Sequence, residues 1–189
     1  WMHANSLMIG PRGNIIVSLR NLDEVFSISP DYRTIEWRLG GPNPTISMTA
    51  SDSFWSQHSA IELPNNRLLL FDNGFSPVTP RGWSRAIEYQ LDLSARTATK
   101  VWEHRPQPDI YAMRVGSVAR LSNGNTVIAF GWGQGPNDAY PITAREVSRA
   151  GHLVWSLNLS KPQFDRVYRM RPLSDIGGET TTSSSSPGQ

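Results

Sequence analysis

The sequence predicts an all-β chain built from repeated four-stranded units. Short runs rich in Val, Ile, Leu and aromatic residues alternate with Gly, Pro, Asn and Asp along the 189 residues, and no sustained run has a helical period. The last run of each unit carries one tryptophan, Trp37, Trp102 or Trp155, at intervals of roughly 60 residues. Such repeats are typical of β-propeller blades. We therefore predict about three blades and part of a fourth.

The runs follow the same order in each unit. Strands two to four are expected at NIIVSL, EVFSI and TIEWRL in the first unit, at RLLLFD, RAIEYQLDL and ATKVWEH in the second, and at NTVIAFGW, AREVS and HLVWSLNL in the third. Turn sequences RGN, NNR and NGN precede them, and Asn-Gly favours tight hairpins. A fourth unit begins at RVYRMRPL. Residues 1–174 are predicted to form the partial propeller, and the Gly-, Ser- and Thr-rich residues 175–189 a disordered tail.

Composition excludes several classes of function. With 38% hydrophobic and 18% charged residues, the chain fits a globular protein with a real core. A net charge of +2 without a dense basic tract gives no reason to expect nucleic acid or an anionic membrane as partner. The absence of cysteine excludes disulfides and thiol nucleophiles, and no run is long enough for a transmembrane helix. No nucleotide-binding or zinc motif occurs, so neither cofactor nor metal is predicted.

Two histidines are the first candidates for a site. His3 in WMHANSL and His58 in QHSAIEL each introduce the first strand of a unit. First strands of propeller blades line the central channel, so we expect both imidazoles at one pocket. In the second unit, His58 lies a fixed number of residues before the turn residue Arg67. The same number of residues before the equivalent turn residue of the third unit, Asn125, is Gly116, so the third unit lacks an imidazole at this position. The alternative is that each histidine is an ordinary, partly buried residue bonded to a carbonyl.

Polar residues near the same strand ends complete the candidate site. Arg85 begins the third strand of the second unit, and a guanidinium beside two imidazoles suits a tetrahedral oxyanion such as sulfate or phosphate. Taken alone, an arginine at this position is more often a surface residue. Five further residues are candidates for binding substrate or orienting the pocket, although their motifs also form plain turns: Asn5, Arg20, Asn21, Asp72 and Asn73.

Eight motifs in order carry a family resemblance. They are WMHANSL, GNIIVSLRN, IEWRLGG, QHSAIEL, LLLFDNG, SRAIEYQLD, VWEHR and GSVARLSNGNTVIAFGWG. From Trp1 to about Leu159 the chain resembles the arylsulfotransferase family, particularly its shorter branch in fungi and actinobacteria. The resemblance implies a propeller, six-bladed when complete, that moves a sulfuryl group from a phenolic sulfate ester to a phenol without the nucleotide donor PAPS. It also implies an extracellular or secretory location, and the chain begins inside a motif, so we expect sequence upstream of Trp1.

The resemblance also implies roles for individual residues. In the family one channel histidine is transiently sulfurylated, while further histidines and an arginine hold the sulfuryl oxygens. His3 and His58 match the first two histidine motifs, and Arg85 matches the arginine. The nucleophilic histidine is expected one unit later, at Gly116, and glycine has no side chain to attack with. Three alternatives follow: another histidine, first of all His58, takes the attack; this branch keeps the oxyanion pocket without the two-step mechanism; or the blades expected beyond this sequence supply the nucleophile.

Two other functions stay open on the sequence. One is a non-catalytic propeller that binds a small anionic or aromatic ligand, which Gly116 and the seven tryptophans support. The other is a quinoprotein-like oxidoreductase, because SPDYRTIEW has the Asp, Thr and Trp spacing of blades in those proteins. No matching set of cofactor and calcium ligands is visible. We expect the transferase, acting on a small aryl sulfate and a phenol.

Overall fold

The described residues form twelve strands in three antiparallel sheets of four. A computed structural model describes residues 2–78, 80–132, 142–159 and 166–170; the predicted tail, 175–189, lies outside them. Sheet 1 contains β1 (Ala4–Ile9), β2 (Ile15–Leu19), β3 (Glu24–Ile28) and β4 (Ile35–Gly40). Sheet 2 contains β5 (His58–Leu63), β6 (Arg67–Asp72), β7 (Arg85–Asp92) and β8 (Thr97–His104). Sheet 3 contains β9 (Ser117–Arg120), β10 (Thr126–Phe130), β11 (Ile142–Val147) and β12 (Leu153–Leu159).

Each sheet joins its strands in sequence order, so every strand pairs with its neighbour along the chain. This confirms the all-β class and the four-strand unit. The runs EVFSI and RLLLFD coincide with β3 and β6. The three tryptophans of the repeat lie on the fourth strands β4, β8 and β12, as predicted.

Two buried clusters hold the sheets together, and β6 contributes to both. Leu68 and Leu70 pack in the cluster between sheets 1 and 2, whereas Leu69 and Phe71 pack in the cluster between sheets 2 and 3. Side chains of a strand alternate between its two faces, so a run that is apolar throughout indicates a strand covered on both sides. Phe71 also packs edge-to-face on Phe130, with ring centroids 5.4 Å apart. Sheet 2 is therefore the middle layer.

The first strands of the sheets are neighbours, because β5 contacts both β1 and β9. Antiparallel pairing places the start of each first strand beside the end of the second strand of the same sheet. Residues just before β1, β5 and β9 therefore lie at one end of the sheets, with the residues that follow β2 and β6. The turns between first and second strands lie at the opposite end.

The first and last of the fourth-strand tryptophans differ in environment. Trp37 is 1% exposed and belongs to the core, whereas Trp155 is 41% exposed on β12. Leu153, Val154 and Leu157 are exposed beside it, so the outer strand of sheet 3 is uncovered within the part of the chain described. None of the helices there is long and apolar enough to cross a bilayer.

Candidate functional site

A pocket of about 290 Å³ opens at the end where the first strands begin. We call it the His58 pocket; its walls are His3, Arg20, Asn21, His58, Arg114, Val115 and Tyr168. Four of the residues singled out from the sequence, two histidines, an arginine and an asparagine, thus meet at one place. Among the described residues, the walls include two guanidiniums and no carboxylate.

His58 is the first residue of β5 and is 2% exposed. Its strand pairs with β6 through His58 and Phe71, and the register shifts between His58 and Ile61. Ser59, within that shift, has a φ of 54°. Such a bulge bends the strand and redirects its side chains. The local backbone therefore sets the direction of the imidazole.

Asn73 determines which nitrogen of His58 carries the proton. Its Nδ2 donates to the carbonyls of Ala112 at 2.6 Å and Val115 at 2.8 Å, so both amide hydrogens are used. Its Oδ1 must then face Nδ1 of His58, 2.7 Å away, and the Ser56 carbonyl lies 3.1 Å from the same nitrogen. With two acceptors beside it, Nδ1 is the protonated nitrogen, and the lone pair is on Nε2.

His58 is also neutral near pH 7. The pKa of His58 is lowered to about 4, mainly by burial; the charge on Arg20 acts in the same direction, and the Asn73 hydrogen bond acts against them. No hydrogen bond within the described part of the chain uses Nε2 of His58. A buried, neutral imidazole with a fixed tautomer can act as a nucleophile or a general base.

In the described part of the chain, the cations that line the pocket are Arg20 and Arg114. Arg20 follows β2 in a 3₁₀ turn, and it donates to Oδ1 of Asn21 and to the Met113 carbonyl, each at 3.2 Å. Burial lowers the pKa of Arg20, and the like charge of Arg114 adds to this effect, although an arginine stays protonated in proteins. Arg114 is exposed and lies over the Trp132 ring at 5.1 Å. Two guanidiniums, with no acid among the wall residues described, favour an anionic ligand.

His3 and His58 both line the pocket, but they lie at different positions relative to the end of the second strand in their sheets. It precedes Ala4, which pairs with Leu19, the last residue of β2, whereas His58 pairs with Phe71, one residue before the end of β6. The interpretation of the two histidines as one repeat position is therefore wrong. The register shifts in the two hairpins fall at different points, so the same end of the sheet receives side chains from different positions.

Gly116 cannot be replaced by the histidine that the family resemblance leads one to expect. Its φ is +107°, and a Cβ there would lie 2.6 Å from Cε1 of Phe71 and 2.9 Å from the Ala129 carbonyl oxygen. Only glycine adopts such a backbone conformation without strain. Because Phe71 is fully buried and packed on Phe130, the aromatic core occupies the space of that side chain.

Arg85 and Asp72 do not line the His58 pocket. Asp72 is fully buried and accepts from Nε of Arg85 at 2.9 Å and from the backbone nitrogens of Trp55 and Gly74, each at 3.0 Å. Arg85 also donates to Glu103 at 2.9 Å. The guanidinium expected to hold sulfuryl oxygens is therefore bound to carboxylates of the chain.

A second arginine completes that arrangement. Arg81 contacts both carboxylate oxygens of Asp72 at 2.5 Å and lies between the rings of Trp55 and Trp83, at 4.4 and 4.6 Å. We call Asp72, Arg81, Arg85 and Glu103 the Asp72 cluster.

Asn5 supports the pocket without lining it. The buried side chain donates to the Gln57 carbonyl at 2.6 Å, which ties β1 to the segment before His58. The Asn5 carbonyl accepts from the Tyr168 hydroxyl at 3.1 Å, and the Tyr168 ring packs edge-to-face on His58 with centroids 6.0 Å apart. Asn5 therefore positions two neighbours of the imidazole, the preceding residue Gln57 and the ring of Tyr168.

Sequence reasoning missed Arg114, Val115 and Tyr168 as pocket residues. Arg114 and Val115 immediately precede Gly116, the position that the repeat count had reached, so their place before a first strand was a usable signal. Tyr168 comes from the predicted fourth unit, and nothing in its motif indicated a contact with His58. In the described residues, no three His, Asp or Glu side chains are grouped to hold a metal ion.

Three solved structures are similar to this chain at low sequence identity, and the second of them, with a TM-score above 0.5, shares its fold. A protein of unknown function from Bacteroides caccae is 17% identical, covers 84% of this chain and 47% of its own, and has a TM-score of 0.44. The PQQ-bound aldose sugar dehydrogenase of Streptomyces coelicolor is 12% identical, with coverages of 78% and 45% and a TM-score of 0.51. A Lactobacillus plantarum protein is 13% identical, with coverages of 84% and 42% and a TM-score of 0.44. The chain thus spans less than half the length of these proteins.

Sequence comparison identifies the family. No curated protein matches the chain. The sequence model of the family Arylsulfotransferase (ASST), in contrast, matches residues 1–169, nearly the whole chain. This range contains the three sheets and every wall of the His58 pocket. The chain therefore belongs to the arylsulfotransferase family.

Proposed function

We propose that this chain carries the sulfuryl-transfer site of a β-propeller enzyme that moves a sulfuryl group from a phenolic sulfate ester to a phenol. The observation that carries the proposal is the state of His58, neutral and protonated on Nδ1, in a pocket whose described walls include two guanidiniums and no acid. The family supports the reaction class. The three sheets are then successive blades, since their first strands meet at one centre.

In the first half-reaction, the lone pair on Nε2 of His58 attacks the sulfur of the ester. A bond forms between Nε2 and sulfur, and the bond between sulfur and the phenolic oxygen breaks, with its electron pair going to that oxygen. His3 supplies the proton that converts the departing phenolate to phenol. Arg20, Arg114 and Asn21 hold the sulfuryl oxygens, whose charge the guanidiniums stabilise as the bond breaks.

The second half-reaction reverses these roles. The oxygen of an acceptor phenol attacks the sulfur while its proton passes to His3, and the electron pair of the bond between sulfur and nitrogen returns to Nε2. Asn73 contributes throughout, because the imidazole gains positive charge when Nε2 bonds to sulfur. The Nδ1 hydrogen bonds to Oδ1 of Asn73 and to the Ser56 carbonyl strengthen with that charge.

Arg85 has a supporting role in this proposal. Its charge is bound by Asp72 and Glu103, and Asp72 is the chain neighbour of Asn73. The Asp72 cluster thus holds the backbone from which Asn73 reaches His58. An extracellular or secretory location remains a prediction from the resemblance.

The test is release of phenol from a chromogenic aryl sulfate by the chain, with and without an acceptor phenol. We expect release that depends on the acceptor, and a loss of at least about 10³-fold in His58→Gln, as for other catalytic nucleophiles. The matched control is His152→Gln, since His152 is an exposed turn residue. A single sulfuryl group on the His58 peptide, found by mass spectrometry after donor alone, identifies the intermediate.

Binding without turnover is the alternative that this experiment separates. If the folded chain binds aryl sulfate in the His58 pocket, releases no phenol and forms no modified peptide, the transferase proposal is wrong. The chain is then a binding propeller of the same family.

A further inference from the structure

We propose that the chain binds a small oxyanion of the sulfate or phosphate class at a second pocket, formed by Arg67, Arg120 and Arg149. This pocket, of about 270 Å³, is also lined by Leu63, Pro64 and Gly124. We call it the Arg149 pocket. His58 and Leu63 are the two ends of β5, so the two pockets are separated by about 17 Å of strand. The second site is therefore independent of the proposed reaction.

One buried carboxylate lies beneath the three arginines. Glu88 is fully buried; its Oε1 accepts from Arg67 at 2.9 Å, and its Oε2 accepts from Arg120 and Arg149. Burial alone raises the pKa of Glu88, but the Arg149 hydrogen bond and the three guanidinium charges lower it below the usual value, so Glu88 is ionised. Three positive charges thus meet one negative charge.

The arginines keep donors that Glu88 does not use. Each guanidinium has five N–H groups, and the side chains of Arg67 and Arg149 are 35% and 44% exposed. Nε of Arg120 is buried and has no hydrogen-bond partner in the described residues. An oxyanion in the pocket supplies acceptor oxygens for these groups.

The guanidiniums are held in place without a ligand. Arg120 lies over the Trp102 ring at 4.9 Å and donates to the Gly124 carbonyl at 2.9 Å. The indole Nε1 of Trp102 donates to the Arg149 carbonyl at 2.9 Å. Donors that are ordered before binding lose less entropy when a ligand arrives.

The charge count distinguishes this pocket from a purely structural network. The Asp72 cluster pairs two arginines with two carboxylates. At the Arg149 pocket, Glu88 is the one carboxylate of the described residues that pairs with the three arginines. Like charges held together repel unless an anion compensates them. The excess of two positive charges at the Arg149 pocket matches a doubly charged oxyanion.

The experiment is calorimetric titration of the chain with sodium sulfate and with sodium phosphate, at an ionic strength matched with sodium chloride. The main variant is Arg149→Gln, because Arg149 is at the exposed rim. The charge-matched control is Arg33→Gln, at an exposed turn residue. Arg20→Gln reports any anion bound in the His58 pocket. We expect Arg149→Gln to weaken binding about tenfold, the effect of losing a charged hydrogen bond, while Arg33→Gln and Arg20→Gln retain a site of unchanged affinity.

Three results overturn the proposal. They are sulfate and phosphate binding no better than chloride, equal weakening in Arg33→Gln and Arg149→Gln, and loss of all oxyanion binding in Arg20→Gln alone, which assigns it to the His58 pocket. Arg67→Gln provides a second rim variant and decides the question if Arg149→Gln does not fold. Because no turnover is measured, failure here is distinct from failure of the proposed transferase.

Discussion

The His58 pocket and the Asp72 cluster lie at the same end of sheet 2, but their arginines have opposite surroundings. In the pocket, Arg20 and Arg114 line the walls with a neutral imidazole, and none of the wall residues that the structure describes is a carboxylate. In the cluster, Arg85 and Arg81 are bound by Asp72. The comparison shows that arginines are available to a ligand where the neighbouring carboxylates of the chain do not balance their charge.

The two regions are nevertheless connected through one peptide unit. Asp72 is fully buried and requires charged partners, because an unpaired buried carboxylate is strongly destabilising. The next residue, Asn73, orients His58 through a 2.7 Å contact. The cluster therefore stabilises the backbone that positions the imidazole.

The strongest test of the contrast is Arg85→Gln. This change leaves Asp72 buried with only Arg81 as its charged partner, so we expect a loss of about 3 kcal/mol in the free energy of unfolding, measured with urea. Phenol release per folded molecule should change little. If stability is retained while turnover is lost, Arg85 binds the sulfuryl group, as the family resemblance implies.

Arg20→Gln should show the opposite pattern. Removing one cation that holds the sulfuryl oxygens should reduce kcat/KM for an aryl sulfate about 100-fold, the usual effect of removing an oxyanion donor. The urea midpoint should stay near that of the wild type, since Arg20 pairs with no carboxylate at ion-pair distance in the described residues. Equal losses of stability in Arg20→Gln and Arg85→Gln would remove the distinction between the two regions.

Gly116→Ala tests whether the core excludes a side chain at the edge of the pocket. The positive φ and the 2.6 Å approach to Phe71 predict a loss of about 2 kcal/mol of stability. The control is Gly151→Ala, at a φ of +86° with no heavy atom within 4 Å of the added Cβ, for which about 1 kcal/mol is expected from the backbone alone. Equal losses in the two variants would show that Phe71 yields and that the position tolerates larger residues.

The smallest of the expected effects is a shift in the pH dependence of turnover in Asn73→Asp. In the wild type the pKa of His58 is about 4, so turnover should fall only as the pH drops towards 4. A carboxylate beside Nδ1 favours the charged imidazole and should move this acid limb up by about one pH unit. The acid side of the pH profile should be measured with the donor at the same degree of saturation at every pH. If it does not move, His58 is not the titrating base.

Stability should follow the same linkage. The unfolded chain binds a proton near pH 6.5, whereas folded His58 binds one only near pH 4, so the wild type loses stability as the pH falls between these values. Asn73→Asp, with a higher folded pKa for His58, should lose less over that range. Thermal unfolding at several pH values measures the difference.

Local sequence determined the strands of this protein. Runs such as EVFSI and RLLLFD became β3 and β6 with the expected bounds, because alternation of side chains and turn residues act over neighbouring positions. The zero cysteine count and the ordered family motifs likewise restricted the chemistry without any three-dimensional information. The repeat also predicted a site at the starts of the first strands.

Only the tertiary structure decided which charged groups face the pocket. Nothing in the sequence distinguishes the side chain of Arg85 from that of Arg20. In the folded chain, Arg85 pairs with the carboxylates of Asp72 and Glu103, whereas Arg20 lines the pocket. The tautomer of His58 depends on Asn73, whose orientation is set by carbonyls 39 and 42 residues away in the chain. Burial and electrostatics depend on all neighbours in space, so no local pattern contains them.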